Sequence, residues 1–139
     1  MKEAMAAEVA GELEQAFAQG PAATQEAMRQ WLGPEVELRH EPAEPADGFY
    51  PADVLLQALS QRLALFTRLM PDYSESAVVT SEGAQIVVDL VIRGTLSDGS
   101  RIDIPGRDRL TVREGRIVAM LSAFDAERMR PLVEAVRAL

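Results

Sequence analysis

Apolar residues recur every fourth position at the start of the chain. Met5, Val9, Leu13 and Phe17 form one stripe, which predicts a helix over residues 3–18. Gly20 suits its C-terminal cap, and Pro21 can open a helix but not continue one. A short second helix is predicted over 22–32, stopped at Gly33-Pro34. Val36 and Leu38 alternate within "EVELRH", a brief strand, and "EPAEPADGFYP" reads as a proline-broken loop. From Pro51 to Met70 the period is helical again. Val54, Leu55, Ala58, Leu59, Leu63, Phe66 and Met70 make a broad apolar face, and Leu56, Leu65 and Leu69 widen it, so this helix should be covered on more than one side.

The period then changes to two. "SESAVVT", "AQIVVDLVIRGTL", "RIDIPGRDRLTV" and "RIVAMLSAF" read as four antiparallel strands, with "SDGS" and "REG" as hairpin turns. Asp125 is placed to cap a last helix, "AERMRPLVEAVRAL", which Pro131 should kink or shorten. Helices on one side of a curved antiparallel sheet make an α+β domain, here a single one spanning residues 1–139.

Strand alternation separates inside from outside. Ile86, Val88, Leu90 and Ile92 share a face that is wholly apolar and should meet the core. Val87, Asp89, Val91 and Arg93 share the other. In the next strand Ile102, Ile104, Gly106, Asp108, Leu110 and Val112 fall together, unless a bulge at Pro105-Gly106 turns the first two outward. This parity puts a carboxylate, Asp108, on an apolar inner face.

Composition narrows the functions. The 139 residues suit one domain with a real core, and the net charge of −8 disfavours a phosphate backbone as partner, so we expect no nucleic-acid binding. There is no cysteine and one histidine, which leaves no recognisable metal-ligand spacing and no thiol nucleophile; no metal and no cofactor is expected. The N-terminus carries acids throughout and does not read as a signal peptide, and no apolar run approaches bilayer length. We expect a soluble, cytoplasmic protein with no membrane partner; almost every base is arginine and alanine is abundant, which fits a GC-rich bacterial source.

Four stretches, taken in order, resemble one superfamily. "LGPEVELRHEP" is similar to its first strand and following loop, "LFTRLMPDY" to the end of its long helix, "VIRGTLSDG" to its central hairpin and "GRDRLTVREGRIVAMLSAFD" to its last hairpin. The chain thus resembles the nuclear-transport-factor-2-like superfamily, in its branch of SnoaL-like polyketide cyclases and ketosteroid-isomerase-like proteins. The resemblance implies a cone-shaped sheet wrapped around a long helix, with N-terminal helices and a C-terminal helix. It also implies a pocket for a small, mostly apolar molecule at the wide end.

Carried onto that pattern, Asp108 stands where the family has an inward acid on the penultimate strand, acting as proton donor or acceptor. A carboxyl in an apolar pocket holds its proton to higher pH and can donate to a developing oxyanion. The competing reading is an acid paired with an arginine at the rim. "RHEP" stands at the pocket mouth, so Glu41 and His40 are further candidates for acid/base work, against the reading of a solvated loop. Trp31, Phe49, Tyr50, Phe66, Met70, Tyr73, Leu90, Leu110 and Phe124 are candidate pocket walls, each also readable as plain core or rim. The sequence departs from the family in two respects. Phe17 and no tyrosine lies on the first helix, which counts against a steroid isomerase. The last strand has no acid before Asp125, which counts against epoxide-hydrolase chemistry. The arginines of "RDRLTVREGR" fall mainly on the outward face and read as a solvated strand edge.

Two functions remain open: a cofactor-independent cyclase or isomerase acting on a small apolar carbonyl compound, and a non-catalytic ligand-binding or dimerisation domain of the same fold. An open cavity with Asp108 at its floor would favour the first; a cone filled by Trp31, Phe66 and Met70 would favour the second. The outward valines between charges, with the family's habit of pairing through the sheet, predict a homodimer in which Asp89 meets an arginine of its partner.

Overall fold

In the computed structural model, which describes residues 2–139, the fourfold stripe of the first segment becomes α1 (Lys2–Gln19), with Val9 and Leu13 buried. Gly20, at φ 115°, provides the left-handed corner from which Pro21 opens α2 (Pro21–Trp31). The chain then becomes extended at once. Strand β1 (Leu32–Glu41) takes in Gly33 and Pro34, which were expected to end the helix one residue later and stand outside the strand. Only residues 42–47 of the expected loop remain one; its last four residues are a short strand, β2 (Gly48–Pro51), that pairs antiparallel with Glu35–Leu38. Four residues beside prolines carry too little alternation to be read as a strand; pairing with β1 creates it.

Helix α3 (Ala52–Leu69) precedes strands β3 (Ser74–Glu82), β4 (Gln85–Thr95), β5 (Arg101–Arg113) and β6 (Arg116–Phe124), and α4 (Ala126–Arg137) ends the fold. Asp125 caps α4 by accepting a hydrogen bond from the backbone N–H of Arg128 at 3.1 Å. The helix runs on through Pro131, and Leu132 is buried just beyond it, so Pro131 does not shorten the helix. Among the described residues no helix is long and apolar enough to cross a membrane.

The six strands lie in the order β2-β1-β6-β5-β4-β3. Strand β1 runs parallel to β6, so the sheet is mixed and not wholly antiparallel as expected. Parallel partners need a long crossover, and here all of α3 and the β3–β5 meander lie between the two strands, a separation that local patterns do not reveal.

The β4–β5 ladder is unbroken, pairing Ile92 with Ile104, Leu90 with Gly106, Val88 with Asp108 and Ile86 with Leu110. No bulge interrupts Pro105-Gly106, so Ile102, Ile104, Leu110 and Val112 are all buried on the face that Asp108 shares. The outward set is less uniform. Asp89 and Arg93 are exposed, yet Val87 is buried without joining the main core cluster. Asp89 is held by Arg107 of the same chain at 2.7 Å and is therefore not a free carboxylate awaiting a partner subunit. Arg109 likewise meets Glu82 at 3.1 Å, so these arginines pair across the outer sheet surface and do not gather into an anion site.

Candidate functional site

A cavity of about 220 Å³ lies between α3, the inner face of the sheet and the facing parts of α1 and α2. Helical spacing brings Leu55, Leu59, Arg62 and Phe66 of α3 to one wall. Strand alternation brings Leu38 and His40 of β1, Val88 and Leu90 of β4, Asp108 and Leu110 of β5, and Met120 and Ser122 of β6 to the opposite wall. Ala58 and Arg62 are exposed, so the mouth opens along that side of α3. The volume exceeds the roughly 150 Å³ that admits benzene and falls below the roughly 300–1,000 Å³ typical of drug-sized ligands.

Asp108 is the deepest acid of this chamber. Ser122, opposite it on β6, is itself buried and donates its hydroxyl to Asp108 Oδ1 at 2.6 Å. No ion pair reaches Asp108 among the described residues. Burial pushes its carboxyl above the usual range; the Ser122 hydrogen bond and the more distant charges of Arg62 and His40 oppose that rise without cancelling it. An acid so placed can carry a proton at pH values where an exposed aspartate is ionised.

His40 also lines the cavity, and the loop before β2 fixes its orientation. Its Nδ1 lies 2.6 Å from Asp47 Oδ1, while Asp47 Oδ2 accepts the backbone N–H groups of His40 and Glu44, each at 3.2 Å. The hydrogen bond to His40 is the first cause holding the Asp47 carboxylate below the usual range. A carboxylate on Nδ1 makes that nitrogen the donor, so in the neutral ring Nε2 carries the free lone pair. Glu41, the next residue, follows the alternation of β1 to the other face; it is exposed and does not line the cavity.

Of the aromatic candidates, Phe66 and Tyr73 form part of the wall, their ring centres 6.1 Å apart. Tyr73 donates its hydroxyl to Glu75 Oε2 at 2.5 Å, and burial first, then this bond, raises its proton affinity well beyond that of a free phenol. Leu90 and Leu110 line the cavity too.

The remaining candidates do not line it. Trp31, at the end of α2, gives its indole N–H to Glu12 of α1 at 2.8 Å. Tyr50, on β2, donates to the carbonyl of Ala46 in the preceding loop, and Phe49 is 65% exposed. Met70 is wholly buried against the backbone of Gly94, and the ring of Phe124 packs against Gly106. A large side chain identifies a residue that fills space; which layer it fills depends on the glycine opposite it. Arg62, Glu75 and Ser122 are pocket residues that the sequence reading passed over. Ser122 follows from alternation with Met120 and Phe124, and Arg62 from the four-residue spacing that joins Leu55 and Leu59 to Phe66. Among the described residues no group of three or more histidine, aspartate or glutamate side chains is arranged to hold a metal.

No family model matches the sequence, and no curated protein does either. Solved structures match over nearly the whole chain. A candidate SnoaL-like polyketide cyclase from Jannaschia sp. CCS1 superposes with a TM-score of 0.64 at 16% identity, covering 99% of this chain and 94% of that one. IdmH of Streptomyces antibioticus, a candidate polyketide cyclase, gives 0.62 at 17% identity over 91% and 96%. An NTF2-like protein of unknown function from Burkholderia pseudomallei K96243 gives 0.63 at 20% identity over 91% and 95%. Identity this low speaks for architecture and not for reaction. With its long helix against a mixed sheet and a cavity between them, the chain has the NTF2-like fold.

Proposed function

We propose that the chain binds a small, mostly apolar carbonyl compound in the cavity and acts on it as a cofactor-independent isomerase or cyclase. In this reading Asp108 hydrogen-bonds the carbonyl oxygen as an acid, and Nε2 of His40 takes a proton from the neighbouring carbon. The observation that carries the reading is the Asp108 carboxyl, set in an apolar chamber with a neutral hydroxyl as partner and no cation paired to it. The candidate polyketide cyclases among the similar structures make the same class of chemistry a reasonable first test. Proton exchange at the carbon next to the carbonyl can be followed by NMR in heavy water with a panel of small ketones. The wild-type chain should accelerate exchange and Asp108→Asn should not. Binding without exchange would assign the chain to the non-catalytic, ligand-holding class.

We further propose a homodimer built on the outer face of the sheet. Val78 is 64% exposed there and Val91 is half-buried, an apolar strip between committed ion pairs. Val91→Glu should shift sedimentation towards monomer by placing an unpaired charge in the patch. A wild-type chain that sediments only as monomer at micromolar concentration would contradict the dimer.

A further inference from the structure

Arg62 is the only lysine or arginine among the described residues that line the cavity. Arg93, Arg107 and Arg109 each face a carboxylate of another strand. Arg62 faces none within ion-pair distance among the described residues. Its guanidinium carbon instead lies 6.0 Å from the centre of the Phe66 ring. An aromatic face steadies a guanidinium while leaving its N–H donors free for a planar acceptor.

The two acids of the chamber differ in this respect. Asp108 already holds the Ser122 hydroxyl at 2.6 Å and Glu75 holds the Tyr73 hydroxyl at 2.5 Å. The chamber's permanent cation is thus its unoccupied charged group, and it stands at the mouth. The first turn of α2 contributes Pro21 and Thr24 to the same cavity and contains no acidic residue, so the partial positive charge of that helix end is not offset there. A net charge of −8 would repel an anion elsewhere on the surface, which makes a local cation necessary for one to bind.

We propose that the ligand is a small apolar carbonyl compound that also carries a carboxylate, held by Arg62 at the mouth with its carbonyl towards Asp108 and Ser122. This rests on the carbonyl-ligand reading above and adds the ligand's charge to it. A chamber of about 220 Å³ suits one ring with a short chain.

Calorimetry with three related probes tests the anchor: 4-oxo-4-phenylbutanoate, its neutral amide, and butyrophenone, which keeps the ketone and lacks the polar end. The acid should bind at least about tenfold more tightly than the amide, and the preference should shrink as salt is raised. Arg62→Gln, an exposed helix position where glutamine is tolerated, should remove that preference and leave the amide unchanged. Equal binding of acid and amide to the wild type, or a preference that survives Arg62→Gln, would overturn the anchor. If butyrophenone binds while the acid gains nothing, the anchor alone fails. If none of the three binds, the carbonyl-ligand reading fails and the anchor with it.

Discussion

Asp108→Asn is expected to abolish most of the proposed acid/base activity, by about 10²–10⁴-fold, while leaving the protein at least as stable at neutral pH. Asparagine keeps the shape and an oxygen for the Ser122 hydroxyl, which now reaches Asp108 Oδ1 at 2.6 Å, and it removes the ionisable proton. Burial raises the carboxyl of Asp108 above its ordinary range. The folded state therefore holds this proton more tightly than the unfolded chain, whose aspartate titrates near ~3.9. Below that value both states are protonated and the group is neutral in its effect. As pH rises towards the folded pKa, the unfolded state loses its proton first and stability falls; above the folded pKa the cost is constant. Each tenfold difference in proton affinity amounts to about 1.4 kcal/mol. The substitution removes this cost at pH 7. An aspartate stabilised by an ion pair would behave in the opposite way, with stability lost in the variant at pH 7 and in the parent at low pH. Denaturant unfolding of both proteins at pH 4 and pH 7, beside the exchange assay, separates the two cases.

The second large effect lies in the packing beneath the sheet. Gly94 of β4 has no room for a side chain: a Cβ there would stand 2.6 Å from Met70 Sδ, 2.8 Å from Met70 Cβ and 3.1 Å from Met70 Cγ. The sulfur can turn aside, but the Cβ of Met70 is fixed to its backbone, and Met70 is wholly buried. Gly94→Ala should destabilise the fold by about 1–3 kcal/mol. Gly11 lies within α1 with nothing inside 4 Å of a Cβ, so Gly11→Ala should stabilise by about 0.5–1 kcal/mol through helix propensity. The two alanine substitutions thus have opposite signs, readable from the midpoints of unfolding curves. A Gly94→Ala variant as stable as the parent would mean that the end of α3 is not seated against β4 as described.

Much of the fold is legible in the sequence because period and punctuation act locally. The stripe of Val9 and Leu13, the Gly20-Pro21 corner and the Asp125 cap each specify structure within a turn or two of themselves. The parity of Asp108 with Leu110 and Val112 is equally local, and the continuous ladder of β5 on β4 preserves it. What escapes is set by partners distant in the chain. Strand β2 exists because β1 lies beside it, and β1 runs parallel to β6 because α3 and the β3–β5 meander carry the chain across.

The site follows the same division. His40 and Asp108 share inner faces that alternation can find, but the link from His40 to Asp47 depends on how the intervening loop closes, and Glu41 falls on the outer face by the same alternation. Trp31, Tyr50, Met70 and Phe124 have the size and polarity of pocket walls. Their positions were decided by Glu12, by the loop of Ala46, and by the bare backbones of Gly94 and Gly106.

The most direct measurement of the central claim is the titration of the Asp108 side-chain carboxyl followed by carbon-13 NMR, assigned with the Asp108→Asn variant. Burial among Val88, Leu90 and Leu110 with Ser122 as its hydrogen-bond partner predicts a midpoint clearly above the ordinary aspartate value of about 3.9. A midpoint at or below that value would show a carboxylate stabilised in its charged form and would contradict the role proposed for Asp108 as the acid of the cavity.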